Sequence, residues 1–162
     1  MLNNFVNVFK TTEGYEYAER KGKDSIAFIL YNRTKQEMGL RLEYKPPIGT
    51  WILGAFGGSM DKEHVSPLQI VQAEVAEEAG YVVKPDDVHF IGKYFVSSQM
   101  NQFCYLYVVI VDDAQWIGPT TKDELECKSY VTWYKRWEQL PSIECWKAKL
   151  AIENLNQGDF NQ

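Results

Sequence analysis

The sequence predicts an α+β fold, a sheet held between helices, and three features of its 162 residues point there. Eight runs rich in β-branched and aromatic residues have the length of strands. One capped helical stretch interrupts them after the fifth run, and a second follows the eighth. No repeat, low-complexity tract or Pro/Gly-rich linker divides the chain, so residues 1–162 are expected to form one domain.

Taken in order, the strand runs are "FVNVF", "YEYAER", "SIAFILYN", "GLRLEY", "TWILGAF", "VHFIGKYFV", "CYLYVVIV" and "CKSYVTWY". The first two lie within residues 1–22, an N-terminal strand region. The first helix is expected to open at Ser66, an N-cap residue followed by Pro67 at the first helical position. It should close at Gly80, which suits the left-handed C-terminal position. Steps of three and four place Leu68, Val71, Val75 and Ala79 on one core-facing stripe. A second helix is expected at about 142–156, with Pro141 before it and Gly158 after.

Composition limits the function. A chain that is 45% hydrophobic and 14% aromatic can fill a sizeable core, and its net charge of -5 opposes non-specific attraction to nucleic acid or an anionic membrane. A phosphate-bearing partner would need a local device, such as a metal ion. Cys104, Cys127 and Cys145 are odd in number and widely spaced, which suggests neither a disulfide framework nor a zinc site. The opening "MLNNFVNVFK" has no basic leader, and apolar runs such as "YLYVVIV" are far shorter than a membrane span. A soluble, cytoplasmic protein is expected.

The chemistry-bearing feature is the acidic cluster Glu74, Glu77 and Glu78 on the first helix. Like charges at i,i+3 and i,i+4 cost about a few tenths of a kcal/mol each, so the cluster is mildly unfavourable as pure structure. A hard divalent cation reverses that sign, because Mg²⁺ takes oxygen ligands and shares them with substrate phosphates. Gly57 and Gly58, just after an apolar strand, would let backbone approach a ligand and turn toward the helix. A solvated acidic face is the bland alternative. The strand, paired glycines, capped helix and terminal glycine together weigh against it.

These residues resemble the Nudix hydrolase family, whose box reads G-x5-E-x7-R-E-U-x-E-E-x-G-U with U apolar. "AEVAEEAGY", Ala73 to Tyr81, matches its second half at Glu74, Val75, Glu77, Glu78 and Gly80. Three departures stand out. Ala73 replaces the box arginine, one extra residue separates Gly58 from Glu74, and the first box glutamate falls at His64 or Val65 with Glu63 adjacent. The resemblance implies an α/β/α sandwich around a mixed sheet, with Mg²⁺, or Mn²⁺ in its place, held by Glu74, Glu77 and Glu78 with backbone near Gly58. "YEYAERKGKDSIAFILYN" and "RLEYKPPIGTWILGAFGG" are similar to the ADP-ribose and nucleoside-diphosphate-sugar pyrophosphatase branch. That likeness implies a homodimer whose N-terminal strands cross to the partner, with Arg20 and Lys21 as candidates to reach its site.

The reaction so implied is hydrolysis of a nucleoside diphosphate linked to X, giving a nucleoside monophosphate and X-phosphate. In this branch a glutamate on a loop well after the box acts as general base. The matching stretch is "IGPTTKDELECKSY", with Glu124 the first choice, Asp123 and Glu126 beside it, and Glu77 or Glu78 as alternatives. Arg41, Lys45 and Lys93 are candidate phosphate contacts, and Phe28, Tyr44, Phe103 or Tyr105 candidate stacking partners for a base. Other diphosphates such as NADH, dinucleotide polyphosphates or an RNA cap, and a Nudix-fold ligand-binding module without turnover, are the competing readings.

Overall fold

The computed structural model describes residues 5–121, 129–135, 140 and 143–157. Nine strands and two helices follow in the order β1 (Val6–Lys10), β2 (Glu16–Arg20), β3 (Ser25–Asn32), β4 (Glu37–Lys45), β5 (Thr50–Gly54), β6 (Phe56–Ser59), α1 (Pro67–Glu74), β7 (Val88–Phe95), β8 (Phe103–Val111), β9 (Ser129–Tyr134) and α2 (Trp146–Gln157). β1 and β2 form a separate hairpin; the other seven strands form one sheet, ordered β5-β4-β3-β8-β7 with β6 on β3 and β9 on β4. β3 and β8 run parallel in full register from Ser25↔Cys104 to Asn32↔Val111, while their neighbours in the sheet pair antiparallel. The sheet is therefore mixed.

Alternation along β3 sorts its side chains onto two faces. Ala27, Ile29 and Tyr31 meet Ala148, Ala151, Ile152 and Leu155 of α2 on one side. Ile26, Phe28 and Leu30 meet Ile70 and Val71 of α1, with Val75 and Ala79 just beyond it, on the other. Every residue of β3 is buried, as a central strand between two helical layers requires. Phe28 and Phe56 stack within the second core with ring centroids 5.1 Å apart. The expected sandwich is thus the observed one.

Local differences have physical causes. "TWILGAF" is two strands rather than one, because β5 pairs with β4 whereas β6 crosses over to pair with β3. Gly57 and Gly58 accordingly lie within β6, opposite Ala27 and Ile26, instead of forming a turn. α2 starts at Trp146 rather than near residue 142, and Ile143 ahead of it is buried in the core. α1 opens as expected, with Ser66 and Gln69 completing a reciprocal capping box. Its last turn, Val75–Ala79, widens into a π-helical turn before Gly80 closes it in the left-handed region at φ 79°. Val71, Val75 and Ala79 of the expected stripe are buried, while Leu68 is only half-buried and Ile70 is buried in its stead.

The hairpin docks on the body. Backbone bonds join Ala18 to Gln99 and Asn101, and the Tyr15 hydroxyl donates to the Ser98 carbonyl. Among the described residues no helix is long and apolar enough to cross a membrane.

Candidate active site

A cleft of about 500 Å³ opens where β2, β4, β5, β6, the loop before α1 and the entry to α2 converge. Its charged lining comprises Arg20, Arg41, Lys45, Lys62 and Lys147 against Glu43, Asp61 and Glu74. Five cations against three carboxylates make this lining net positive in a chain of net charge -5. The basic site that the composition conceals is thus assembled by folding.

β4 contributes Arg41, Glu43 and Lys45 at alternate positions, which place all three on the cleft face. They form an alternating row: Lys45 Nζ lies 2.5 Å from Glu43 Oε2, and Arg41 Nη2 3.7 Å from Glu43 Oε1. At its inner end Arg41 Nη1 donates to Glu78 Oε1 at 2.5 Å, with the two side chains only 7% and 1% exposed. Such a pair holds together because each charge would be costly to bury alone. Nε and Nη2 of Arg41 are buried and have no hydrogen-bond partner among the described residues. Arg20 reaches the cleft from the hairpin, its Nη2 donating to Ser59 Oγ and its guanidinium lying 4.9 Å from the Phe5 ring centre. Burial pulls the Arg20 pKa below its ordinary range, with Asp61 opposing that shift. Arg20 thus lines the cleft of its own chain.

The three glutamates are not gathered together. Glu74 lines the cleft beside β6, where a Cβ added at Gly58 would run into its carboxylate end. Glu78 is turned inward onto Arg41, a consequence of burial on the widened last turn. Glu77 is half-buried and outside the cleft lining; its backbone carbonyl accepts from the amides of Thr120 and Thr121. Among the described residues no group of three or more His, Cys, Asp or Glu could hold a metal ion. Of the three glutamates only Glu74 lines the cleft, beside the Gly58 backbone, where Glu43 and Asp61 are the other carboxylates. That donor set still suits Mg²⁺ brought in with phosphate oxygens, since this ion usually needs only one or two carboxylates from protein.

The other expected residues separate in the same way. Arg41 and Lys45 line the cleft, but Phe103 does not. It opens β8 beside Phe95, with rings 5.7 Å apart, and beneath Lys93 Nζ at 4.4 Å, because the β7–β8 register pairs it away from the cleft. Glu63 and His64 are exposed, and His64 adopts φ 62° in the loop before α1. Glu124, with Asp123 and Glu126, lies outside the described residues. Lys147 and Cys145 were missed, and Glu43 with them. The available signal for Glu43 was "RLEYK", whose alternate charges on a core strand demand partners.

Gly58→Ala is expected to keep the fold, because the obstacle is the flexible end of Glu74 rather than backbone, with a stability loss of no more than about 1.5 kcal/mol. It should nevertheless displace Glu74 and sharply reduce any turnover, as read by thermal melting beside an activity assay. Wild-type activity in this variant would show that Gly58 does not set the position of Glu74.

No family model matches the sequence, and no curated protein matches it. A solved structure described as an ADP compounds hydrolase is similar to this chain with a TM-score of 0.65 at 16% identity, covering 96% of this chain and 86% of that one. The likeness is one of fold, and it extends over nearly the whole chain. It agrees with the α/β/α sandwich implied by the resemblance around the glutamate helix.

Proposed function

We propose that this chain is a pyrophosphohydrolase acting on a nucleoside diphosphate linked to X, with ADP-ribose or a nucleoside-diphosphate sugar as substrate. The observation that carries the reading is the positive cleft of an acidic chain, containing a carboxylate at Glu74 and a buried arginine edge at Arg41. The fold-level likeness to an ADP compounds hydrolase supports it. Water adds to one phosphorus, the bridging P–O bond breaks, and a nucleoside monophosphate and X-phosphate leave.

Arg41, Arg20, Lys45 and Lys147 would bind the diphosphate oxygens and hold them against Glu74. Mg²⁺ or Mn²⁺ would be held by Glu74 beside the Gly58 backbone and, when bound, supplies charge neutralisation and a more acidic water. Glu78 is unsuited to the base role, since its side chain is 1% exposed and paired with Arg41. Glu124 is our first choice of base, with Glu77 as the alternative. A homodimer would cover the exposed Phe5, Val8 and Phe9 of the hairpin, and the protein is expected to work in the cytoplasm.

A ligand-binding module without turnover is the second reading, favoured by one observation: the three glutamates are not assembled. Cys145 gives a probe of cleft occupancy common to both readings. It lines the cleft and is half-buried, whereas Cys104 is 0% exposed and burial pushes its thiol pKa up. Iodoacetamide should therefore modify Cys145 well before Cys104, and ADP-ribose should slow the reaction at Cys145, as read by peptide mass mapping. Equal labelling rates with and without ADP-ribose at millimolar concentration would count against the cleft as its site. Release of a nucleoside monophosphate separates the hydrolase from the module.

A further inference from the structure

α1 and its π-helical turn carry three glutamates but no basic residue, so no cation on that helix balances Glu78. The balancing charge comes from the sheet: Arg41 stands 37 positions away in sequence, with its Nη1 on Glu78 Oε1 at 2.5 Å. The same guanidinium lines the cleft, and its Nε and Nη2 have no hydrogen-bond partner among the described residues although Arg41 is only 6% exposed. Glu43 Oε1, 3.7 Å from Nη2, is too far for a hydrogen bond. A planar guanidinium held at Nη1 by one carboxylate oxygen, with its Nε–Nη2 edge buried and without a hydrogen-bond partner among the described residues, fits an incoming pair of anionic oxygens.

We propose that Arg41 couples the two sides of the site: Glu78 holds the guanidinium at Nη1, and the Nε–Nη2 edge, which makes no hydrogen bond among the described residues, receives the diphosphate of the ligand. Glu78 is accordingly a positioning residue that acts through Arg41, without touching the ligand. The inference rests on the cleft being a diphosphate site, but it does not require turnover. An arginine held by a carboxylate loses less conformational freedom on binding than one that must be ordered by the ligand.

The pair makes removal of Glu78 informative. A carboxylate that merely lined the cleft would repel phosphate, so its neutralisation would tighten binding. A carboxylate that orients Arg41 does the reverse.

The experiment is calorimetric titration of inorganic pyrophosphate, without divalent metal, into the wild-type chain and into Glu78→Gln, Arg41→Lys, Arg41→Met and the Arg41→Met/Glu78→Gln double variant, each checked for fold by circular dichroism. Arg41→Met should weaken binding by about 10-fold or more, the scale of a lost hydrogen bond to a charged group. Glu78→Gln should weaken it in the same direction, Arg41→Lys should fall between wild type and Arg41→Met, and the double variant should bind no worse than Arg41→Met alone. Unchanged or tighter binding by Glu78→Gln, additive losses in the double variant, or no binding by the wild type would each overturn the proposal. If Arg41→Met does not fold, Glu78→Gln and Arg41→Lys decide the matter by themselves. Coupled binding without any turnover of nucleotide sugars would retain this inference and remove the hydrolase reading.

Discussion

Glu74→Gln is expected to lower turnover by at least about 100-fold, on the scale of a lost electrostatic stabiliser in a desolvated site. Glu74 is the one glutamate of the cluster that lines the cleft, and the backbone of β6 is shaped around it at Gly58. The substitution keeps side-chain size and removes the charge. Circular dichroism and the melting temperature should stay near those of the parent. By contrast, Glu78→Gln should act by releasing Arg41, so its effect should appear mainly in ligand affinity. A Glu74→Gln protein with undiminished turnover would move the chemistry away from this face of α1.

The largest stability effect is expected at Gly80. Its φ of 79° lies in the left-handed region, where an alanine costs about 1–2 kcal/mol. An added Cβ would also run into the backbone of Gly118 and Pro119, which cannot rotate away as a side chain can. Overpacking of that kind adds about 1–3 kcal/mol, giving roughly 2–5 kcal/mol for Gly80→Ala by denaturant unfolding. The contact has a positional role too. Ile117 donates its amide to the Gly80 carbonyl at 2.7 Å, and Thr120 and Thr121 donate theirs to the Glu77 carbonyl. The loop that leads toward Glu124 is thus moored to the end of the glutamate helix. A Gly80→Ala loss below about 0.5 kcal/mol, the range of an ordinary surface substitution, would show that this junction yields easily.

What could be read from the sequence divides along the line between local and long-range information. The capped start of α1 and the left-handed glycine at its end are written within a few residues, and both are where the residues place them. The strand runs were legible from period and composition. The division of "TWILGAF" into two strands was not, since it depends on which distant strands accept each half. The inward turn of Glu78 was equally hidden, because it needs both a widened helical turn and a cation from β4. Arg20 and Ser59 meet across 39 positions, so the arrival of the hairpin arginine in this cleft required the fold. Phe103 fits an aromatic role in sequence, yet its strand register fixes it outside the cleft. An acidic composition likewise gave no sign of a net-positive cleft, because a total charge does not record where the charges gather.

The most direct test of the central claim is turnover. Purified protein with Mg²⁺, and separately with Mn²⁺, should be incubated with ADP-ribose, UDP-glucose, ADP-glucose, NADH, diadenosine polyphosphates and nucleoside triphosphates, and product read as phosphatase-released phosphate. Release from ADP-ribose or a nucleotide sugar, absent without the divalent ion and lost in Glu74→Gln, is the predicted result. Silence across the panel, with Cys145 still protected by ADP-ribose, would contradict hydrolysis and identify the cleft as a binding site alone.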